Sequence, residues 1–392
     1  MPLALAATGV ATRAAPPPCS RIVAIGDLHG GYDSLVTILD SARLISKDGR
    51  WNSPDACLVI VGDMVDRGDR SRDLLDYVMS LQEMSTGQVH VLLGNHEVMN
   101  LVGDLRYVTP GEFGAYADLE TPKLRRQGYQ AFLRSRAAKD LPRAERTEAF
   151  ERSFPVGWFG HRRAFAPDGR YGSWLLSLPV VLKLDSTVFV HGGIEPAVAA
   201  LGLDAVNDMT LGEVVDYLRL RDELVAADWL APLVPFAAAF AVTEERLASG
   251  GEKNGAGGGV RESAMRFLEL RNALFARADG PLWSRKLALD DERALAQPVA
   301  EMLRSLGAER IVAGHTTQED HRIKARLDGR VFLIDTGAGP AYGGHPSALE
   351  IEGGVIRALY PDGAEVLAGE DAAASSAHPP ESPRHEARSL PE

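Results

Sequence analysis

The stretch that decides the fold is Ile22-Val-Ala-Ile-Gly-Asp27-Leu-His29, in which four apolar residues are followed by glycine and then by polar residues. A short run of β-prone residues that ends at glycine predicts a buried strand followed by a tight turn. Similar runs end at polar residues four more times along the 392-residue chain. They are Leu58-Val-Ile-Val-Gly-Asp63-Met-Val-Asp66-Arg67, Val89-His-Val-Leu-Leu-Gly-Asn95-His96-Glu97, Thr187-Val-Phe-Val-His191 and Ile311-Val-Ala-Gly-His315. Polar residues that follow strands in this way cluster at the carboxyl edge of a sheet, where α/β proteins build their sites.

The connections between the first three predicted strands have apolar residues at helical spacing. These residues are Leu35, Ile38, Leu39 and Ala42 in the first connection, and Leu74, Leu75, Val78 and Leu81 in the second. Residues 22–93 therefore predict a β-α-β-α-β unit with a parallel sheet, which places the chain in the α/β (α+β) class.

The rest of the chain predicts one catalytic domain, residues 21–365, with helical insertions. The segment at about 102–170 is irregular and rich in arginine and aromatic residues, which indicates a mostly helical insertion that caps the site. Residues 211–248 and 261–278 show further helical periodicity. The Gly-rich stretch 249–259 between them predicts a flexible loop. The chain then returns to strands, which we predict at 311–313, 331–334 and 347–359.

The ends and the composition of the chain bear on its compartment and its partners. Residues 1–20 read as an export-signal remnant or a disordered leader, and 366–392 as a disordered tail. No apolar stretch reaches the ~20 residues that span a bilayer, so we predict a soluble protein without a membrane partner, in the cytoplasm or the periplasm. The net charge of −12 argues against a nucleic-acid partner.

Cys19 and Cys57 lie far apart in the sequence and predict no disulfide framework and no thiolate metal site. We expect Cys57 to be a small core residue.

Six residues at the predicted strand ends carry side chains that bind divalent metals. Asp27 and His29 can reach one ion, and Asp63, at the neighbouring strand end, can bridge it to a second. Two ions about 3.5–4 Å apart polarise a phosphoryl group and hold a hydroxide for in-line attack. We therefore predict a two-metal phosphoester hydrolase, with manganese favoured and iron or zinc as alternatives. The second ion's shell would be completed by Asn95, His191 and His315.

Three residues beside these ligands are expected to act on the substrate. Arg67 offers a fork for two phosphate oxygens. His96 directly follows a predicted ligand, which makes it the candidate acid that protonates the leaving oxygen. Asp66 is the natural partner to orient His96 and to favour its protonated form. Glu97 is expected to brace the loop and not to react.

The motifs in this order resemble those of the phosphoprotein phosphatase family of calcineurin-like metallophosphoesterases. The motifs are Gly26-Asp-Leu-His-Gly30, Gly62-Asp-Met-Val-Asp-Arg-Gly68, Gly94-Asn-His-Glu97 and His191-Gly-Gly193, and the resemblance covers about residues 20–100 and 175–345. The run from Gly94 to Tyr107 and the run Trp174-Leu-Leu-Ser-Leu-Pro-Val-Val are most similar to the bacterial-type, Shewanella-like protein phosphatases. The resemblance implies a β-sandwich flanked by helices with the metals at one edge. It also implies ligand roles for the same six residues, the acid at His96, the acid's partner at Asp66 and a phosphate clamp at Arg67.

The chain departs from the family's eukaryotic members at two places. Leu93 stands where those members carry arginine, and the segment 334–344 replaces the toxin-binding loop of the Ser/Thr enzymes. We therefore do not carry over their substrate preference or inhibitor sensitivity. A second phosphate-binding arginine is expected. The candidates are Arg285 first, then Arg106 and Arg162.

Three functions are compatible with these motifs. The leading one is a protein phosphatase acting on phospho-Ser/Thr or phospho-Tyr, and the second is a dinucleotide polyphosphate or nucleotide phosphatase. The third is a non-catalytic binding module with the same fold. The tetrad Val65-Asp-Arg-Gly68 and the end Gly314-His-Thr-Thr317, which lacks a second histidine, favour the first function. The full set of predicted ligands argues against the third. The partner is accordingly expected to be a phosphorylated protein or a small phosphoester.

Overall fold

The strands form two mixed sheets in the structure, a computed structural model that describes residues 19–249 and 258–369. The first sheet has the order β11-β10-β9-β1-β2-β3 and the second the order β4-β5-β6-β8-β7. The strands are β1 Arg21–Ile25, β2 Ala56–Ile60, β3 Val89–Val91, β4 Val181–Leu184, β5 Thr187–Val190, β6 Arg310–Ala313, β7 Lys324–Arg326, β8 Val331–Leu333, β9 Ala348–Glu352, β10 Val355–Tyr360 and β11 Gly363–Ala368.

The predicted β-α-β-α-β unit is present. Strands β1, β2 and β3 pair in parallel, and the connections are helices α1 (Tyr32–Ser41) and α2 (Ser71–Met84). In the second sheet, β5, β6 and β8 are also parallel. The strand ends that carry the predicted site residues therefore point in one direction within each sheet.

The two sheets pack face to face, as the alternation of side chains along the strands requires. On β1, Ile22 and Ala24 belong to an apolar cluster that also contains Phe189 and Phe332 of the second sheet. Val23 and Ile25 belong instead to the larger cluster on the helical side, with residues of α1 and α2 such as Leu35. The prediction of a β-sandwich flanked by helices is confirmed.

The helices lie mainly in the connections outside the first β-α-β-α-β unit. Segment 102–170 is mostly helical, as predicted, and part of it has a small apolar core of its own around Phe132, Phe150 and Phe159. The remaining helices are α3 Asn95–Val102, α4 Pro110–Gly114, α5 Pro122–Arg134, α6 Arg136–Lys139, α7 Arg146–Ser153, α8 Trp158–Ala164, α9 Arg170–Leu175, α10 Pro196–Ala199, α11 Leu203–Ala226, α12 Phe236–Ala248, α13 Gly258–Glu269, α14 Lys286–Leu289 and α15 Glu292–Leu306. A second helical segment between β5 and β6 contains the helices α11, α12 and α13.

The prediction for the cysteines was wrong, because Cys19 and Cys57 form a disulfide with their Cα atoms 5.6 Å apart. The parallel pairing of β1 with β2 places Ile22 opposite Cys57, and Cys19 lies just before β1. Pairing between strands thus brings together two residues that are 38 positions apart in the sequence. The expectation that Cys57 is buried holds, since none of its surface is exposed.

The predicted boundaries differ in detail from the observed ones. Strand β11 continues to Ala368, beyond the predicted domain end at residue 365, and α13 begins at Gly258, inside the predicted loop. The predicted strand at 347–359 is a hairpin of β9 and β10. The predictions for 1–18, 250–257 and 370–392 lie outside the described residues. Within the part of the chain that the structure describes, no helix is long and apolar enough to cross a membrane.

Candidate active site

The predicted site residues meet at the carboxyl ends of the strands, where the backbone takes up an uncommon conformation. Five non-glycine residues there have positive φ angles, between 41° and 70°. Such angles are costly for residues with a Cβ and are found where the surrounding structure enforces them, often at functional sites. The residues are His29, Asp63, Asp66, Arg67 and His315.

The carboxylate of Asp63 lies at the centre of the site. Its Oδ2 atom is 3.3 Å from Nε2 of His191, 3.7 Å from Nε2 of His29 and 3.9 Å from Nε2 of His96. Its Oδ1 atom accepts a hydrogen bond of 2.9 Å from the backbone N–H of His96. One carboxylate oxygen therefore faces three imidazoles, of which those of His29 and His191 are predicted metal ligands. The bridging role of Asp63 remains a prediction.

The backbone orients two of these imidazoles. Nδ1 of His29 lies 2.9 Å from the carbonyl oxygen of Val65, and Nδ1 of His191 lies 3.0 Å from that of Val61. A histidine that donates Nδ1–H to a carbonyl presents a free lone pair at Nε2, which is how metal-binding histidines are commonly held. Both Nε2 atoms point towards Asp63.

The remaining predicted ligands line the same space. Oδ2 of Asp27 is 4.0 Å from Nε2 of His29, and its Oδ1 accepts a hydrogen bond of 2.9 Å from the backbone N–H of His315. Oδ1 of Asn95 lies 2.9 Å from Nε2 of His191. The structure thus brings all six predicted ligands together, each almost fully buried. Their role as ligands remains a prediction.

Burial and mutual repulsion shift the ionisation of these groups. Burial, followed by the charges of Asp335 and Asp63, raises the pKa of Asp27 well above its usual value. Burial also raises the pKa of Asp63, but the neighbouring His191 and His96 outweigh it and hold this pKa well below the usual value. For His315, burial followed by His191 lowers the pKa to about 2. An ionised carboxylate at Asp63 and a neutral imidazole at His315 suit a divalent cation.

Two groups of side chains are close enough to hold metal ions. The first is His29, Asp63 and His96, and the second is Asp63, His191 and His315. In the second group, Nε2 of His315 is buried and has no hydrogen-bond partner among the described residues. An unpartnered buried imidazole nitrogen costs free energy that a coordinate bond would offset. The donor set therefore fits divalent ions, and Asp63 belongs to both groups.

Glu97 braces the site, as predicted. Its carboxylate accepts hydrogen bonds from the backbone N–H groups of Gly94 (2.9 Å), Asp63 (2.8 Å) and Met64 (2.7 Å). The first of these bonds closes the amino end of α3, and the other two hold the loop after β2. Glu97 thus ties together the two loops that carry Asp63, Asn95 and His96.

His96 and Asp66 form a buried pair. Nδ1 of His96 is 2.5 Å from Oδ2 of Asp66, whose Oδ1 accepts a hydrogen bond of 2.9 Å from the Asn100 side chain. Burial lowers the pKa of His96, but Asp63 and Asp66 offset it, so that the pKa lies above its usual value of 6.5. With Nδ1 bound to Asp66, Nε2 of the protonated ring can donate a proton on the side of the ligand cluster.

Arg67 lies between two tyrosine rings at the edge of the ligand cluster. Its guanidinium carbon is 4.8 Å from the ring centre of Tyr107 and 5.4 Å from that of Tyr342. Among the described residues, no carboxylate forms an ion pair with it. A guanidinium held by rings and not by an acid keeps its donors available for an anion.

The three candidates for a second phosphate-binding arginine differ in their surroundings. Arg285 donates to the carbonyl oxygen of His315 (2.9 Å) and is exposed beside the ligand cluster. Arg106 is exposed and paired with Asp104 at 2.5 Å. Arg162 donates to the carbonyl oxygens of Asn100 and Leu101, at the carboxyl end of α3. Arg285 is therefore the best placed of the three to bind a phosphate. Arg162 instead stabilises the carboxyl end of α3.

Several residues at the site escaped the sequence analysis. Asp335, which follows β8, is buried and raises the pKa of Asp27. The pattern of an apolar strand followed by a polar residue, Val331 to Asp335, could have revealed it. Tyr107 and Tyr342 lie far from Arg67 in the sequence, so no local signal indicated their contact. The same holds for Glu112, whose carboxylate accepts a hydrogen bond of 3.3 Å from the backbone N–H of Asp66.

A cavity of about 500 Å³ opens beside the ligand cluster. It begins at Asn95 and Arg285 and runs along α3 as far as Val102. Phe236 and Phe275, from the helical segment between β5 and β6, form the wall opposite α3, and Trp283 also lines the cavity. The cavity is thus mainly apolar and reaches the predicted ligand Asn95 at one end.

The motifs, the fold and this geometry agree with the comparison with known proteins. The profile of the calcineurin-like phosphoesterases matches residues 20–319, so the chain belongs to the calcineurin-like phosphoesterase family. It is 24% identical over 348 residues to Shewanella-like protein phosphatase 1 of Plasmodium berghei (strain Anka), covering 86% of this chain and 74% of the relative. It is 32% identical over 214 residues to Shewanella-like protein phosphatase 2 of Arabidopsis thaliana, covering 49% of this chain and 51% of the relative.

A solved structure has the same fold. The cold-active protein-tyrosine phosphatase of a psychrophilic Shewanella species superposes with a TM-score of 0.58 at 23% identity, covering 89% of this chain and 81% of that one. The predicted resemblance to Shewanella-like protein phosphatases is confirmed, and the chain is a phosphoesterase.

Proposed function

We propose that the chain is a two-metal phosphomonoester hydrolase that acts on phosphorylated Ser/Thr or Tyr residues of proteins. The observation that carries the proposal is the pair of His96 and Asp66 beside two overlapping metal-binding groups that share Asp63. Two divalent ions, with manganese favoured over iron or zinc, would supply a Lewis acid and a water of lowered pKa.

The chain's own residues then have separate tasks. Arg67 binds phosphate oxygens through guanidinium donors that pair with no carboxylate in the described part of the chain. Asp66 holds Nδ1 of His96, so that Nε2 donates the proton to the leaving oxygen. Arg285 is the second phosphate-binding arginine. Its guanidinium donates to the carbonyl oxygen of His315 at 2.9 Å, and His315 is a predicted metal ligand.

The apolar cavity favours a phosphopeptide over a dinucleotide. A purine in such a cavity needs hydrogen-bonding groups, but the Trp283 indole N–H already donates to the carbonyl oxygen of Phe275. Arg106 and Asp104, which also line the cavity, are paired with each other. The lining therefore suits an apolar side chain next to the phosphorylated residue.

The test is a panel of phosphopeptides assayed beside a diadenosine polyphosphate, each with added manganese. We expect phosphopeptides to give the higher kcat/KM, and peptides with a large apolar residue near the phosphate to be the best. Ala278 is exposed and lines the cavity. Ala278→Trp should therefore narrow the cavity and reduce the preference for peptides with a large apolar residue near the phosphate, while p-nitrophenyl phosphate is still hydrolysed. Met209→Trp, at an exposed apolar position that does not line the cavity, is the matched control. Faster hydrolysis of the dinucleotide would instead support the nucleotide phosphatase.

We also propose that the chain matures in an oxidising compartment, of which the periplasm is one example. The disulfide between Cys19 and Cys57 supports this proposal, because such bonds persist outside the reducing cytoplasm. Mass spectrometry of alkylated protein from the native host would test it. Free thiols at both positions would contradict it.

A further inference from the structure

The insertion after α3 places one carboxyl group next to the loop that carries Asp66, the partner of the proton donor His96. Glu112, on the short helix α4, has no exposed surface. Its Oε1 atom accepts a hydrogen bond of 3.3 Å from the backbone N–H of Asp66. Thr109 caps the amino end of α4, because its hydroxyl accepts a hydrogen bond of 3.0 Å from the backbone N–H of Glu112.

The hydrogen bond between Glu112 and Asp66 lies at a strained part of the loop after β2. Asp66 has a φ angle of 70°, a conformation that non-glycine residues adopt only when the structure enforces it. Its N–H group is buried, and an acceptor there removes the cost of an unpartnered donor. The same residue holds Nδ1 of His96 through its side chain. A hydrogen bond to the backbone of Asp66 therefore bears on the orientation of His96.

We propose that Glu112 is a positioning residue, supplied by the insertion, that holds Asp66 in the conformation that orients His96 for proton donation. This inference rests on the proposed function, in which His96 is the acid. Burial, followed by the charge of Asp66, raises the pKa of Glu112 to about 8. A carboxyl that is mostly neutral at pH 7 accepts from the N–H group without adding a second negative charge beside Asp66.

The experiment compares substrates whose leaving groups differ in basicity. An alkyl phosphate needs protonation of the leaving oxygen far more than an activated aryl phosphate does. We would measure kcat for a phosphoserine peptide and for p-nitrophenyl phosphate in Glu112→Gln and Glu112→Met, together with metal content and Tm. If the wild type hydrolyses no peptide, the protein-phosphatase proposal fails, and glycerol phosphate replaces the peptide in this test.

We expect Glu112→Met, which keeps the volume but removes the acceptor, to lower kcat for the alkyl phosphate about tenfold, within the range that an acid contributes. The loss on p-nitrophenyl phosphate should be much smaller. Glu112→Gln keeps a carbonyl oxygen and should stay close to wild type. In an Asp66→Asn background, Glu112→Met should have little further effect. Equal losses on both substrates, or fully additive effects with Asp66→Asn, would overturn the proposal.

Thr109→Ala gives a second variant in case Glu112→Met does not fold. It removes the cap of α4 at a partly exposed position and loosens the placement of Glu112. It should show the same preference for the aryl phosphate, to a smaller degree. A Thr109→Ala protein with lower stability and unchanged selectivity would also count against the proposal.

Discussion

At the scale of single residues, the site depends on side chains that have several partners at once. Asp63 faces three histidines and also accepts from the backbone of His96, while Glu97 accepts from four backbone N–H groups. Each of these carboxylates fixes two loops together. Their removal should therefore affect the whole site and not one contact.

Asp63→Asn should lower the amount of bound divalent metal and abolish turnover. The amide keeps the size of the side chain but loses the charge that both metal-binding groups share. Metal analysis of the purified variant, alongside its rate on p-nitrophenyl phosphate, provides the check. Two tightly held ions and a near-normal rate would show that Asp63 does not bridge.

His96→Asn should slow the hydrolysis of phosphoserine much more than that of an activated aryl phosphate. The loss on phosphoserine should be about 10²–10⁴-fold, as is usual for a general acid. Asp66→Asn should show the same order with smaller losses, since Asp66 acts through His96. Equal losses on both substrates, with chemistry rate-limiting and metal still bound, would indicate that His96 supports the metals or the phosphate.

Glu112 should make stability depend on pH. Its pKa is raised from 4.5 to about 8, so the folded chain keeps a proton that the unfolded chain loses. Its contribution to the free energy of unfolding is present below about pH 4.5 and is lost as the pH rises to about 8. Glu112→Gln stays neutral throughout. In thermal denaturation, the Tm of this variant relative to wild type should therefore be higher at pH 9 than at pH 5, and a constant difference would contradict this reasoning.

At the scale of helices and strands, the insertion contributes to the site through a few residues only. Tyr107 contacts Arg67, Glu112 contacts Asp66, and Arg162 fastens the carboxyl end of α3. Much of the remainder packs around its own small aromatic core. The insertion thus supports the helix and the loop that carry the proton donor.

Arg106 and Arg162 should respond differently to substitution. Arg162→Met removes donors from the end of α3 and should lower the stability by about 1–3 kcal/mol, the usual effect of losing hydrogen bonds from a charged group. Arg106→Met, at an exposed position on the cavity, should leave Tm unchanged and alter KM for peptides. Thermal denaturation and peptide kinetics on both variants check this, and a reversal of the two effects would be inconsistent with the placement of the two side chains.

The strands that carry the site could be predicted from the sequence because their signals are local. An apolar run, a glycine and a polar residue occur together within ten positions, as in Ile22 to His29. Contacts such as those of Tyr342 with Arg67, or of Glu112 with Asp66, join distant segments through tertiary packing. Nothing within a short window of sequence encodes them. Asp335 is an intermediate case, since its strand was predicted but its nearness to Asp27 depends on how the two sheets pack.

At the scale of the whole molecule, the disulfide cross-links the first sheet to the segment that precedes it. It joins the segment before β1 to β2 across 38 positions. A loop of this size typically adds about 2–4 kcal/mol to the free energy of unfolding. Reduction, or the double change Cys19→Ser with Cys57→Ala, should lower Tm while leaving metal content and kcat at 25 °C nearly unchanged. An unchanged Tm would mean that the bond adds no stability.

The most direct test of the central claim is metal stoichiometry measured together with activity. The protein would be stripped with a chelator and titrated with manganese, while bound metal and the hydrolysis of p-nitrophenyl phosphate are followed. Our interpretation predicts no turnover by the stripped chain, two ions bound per chain at saturation, and activity that appears as the second ion binds. Full activity in the metal-free chain, or saturation of activity at one ion per chain with no second site, would contradict it.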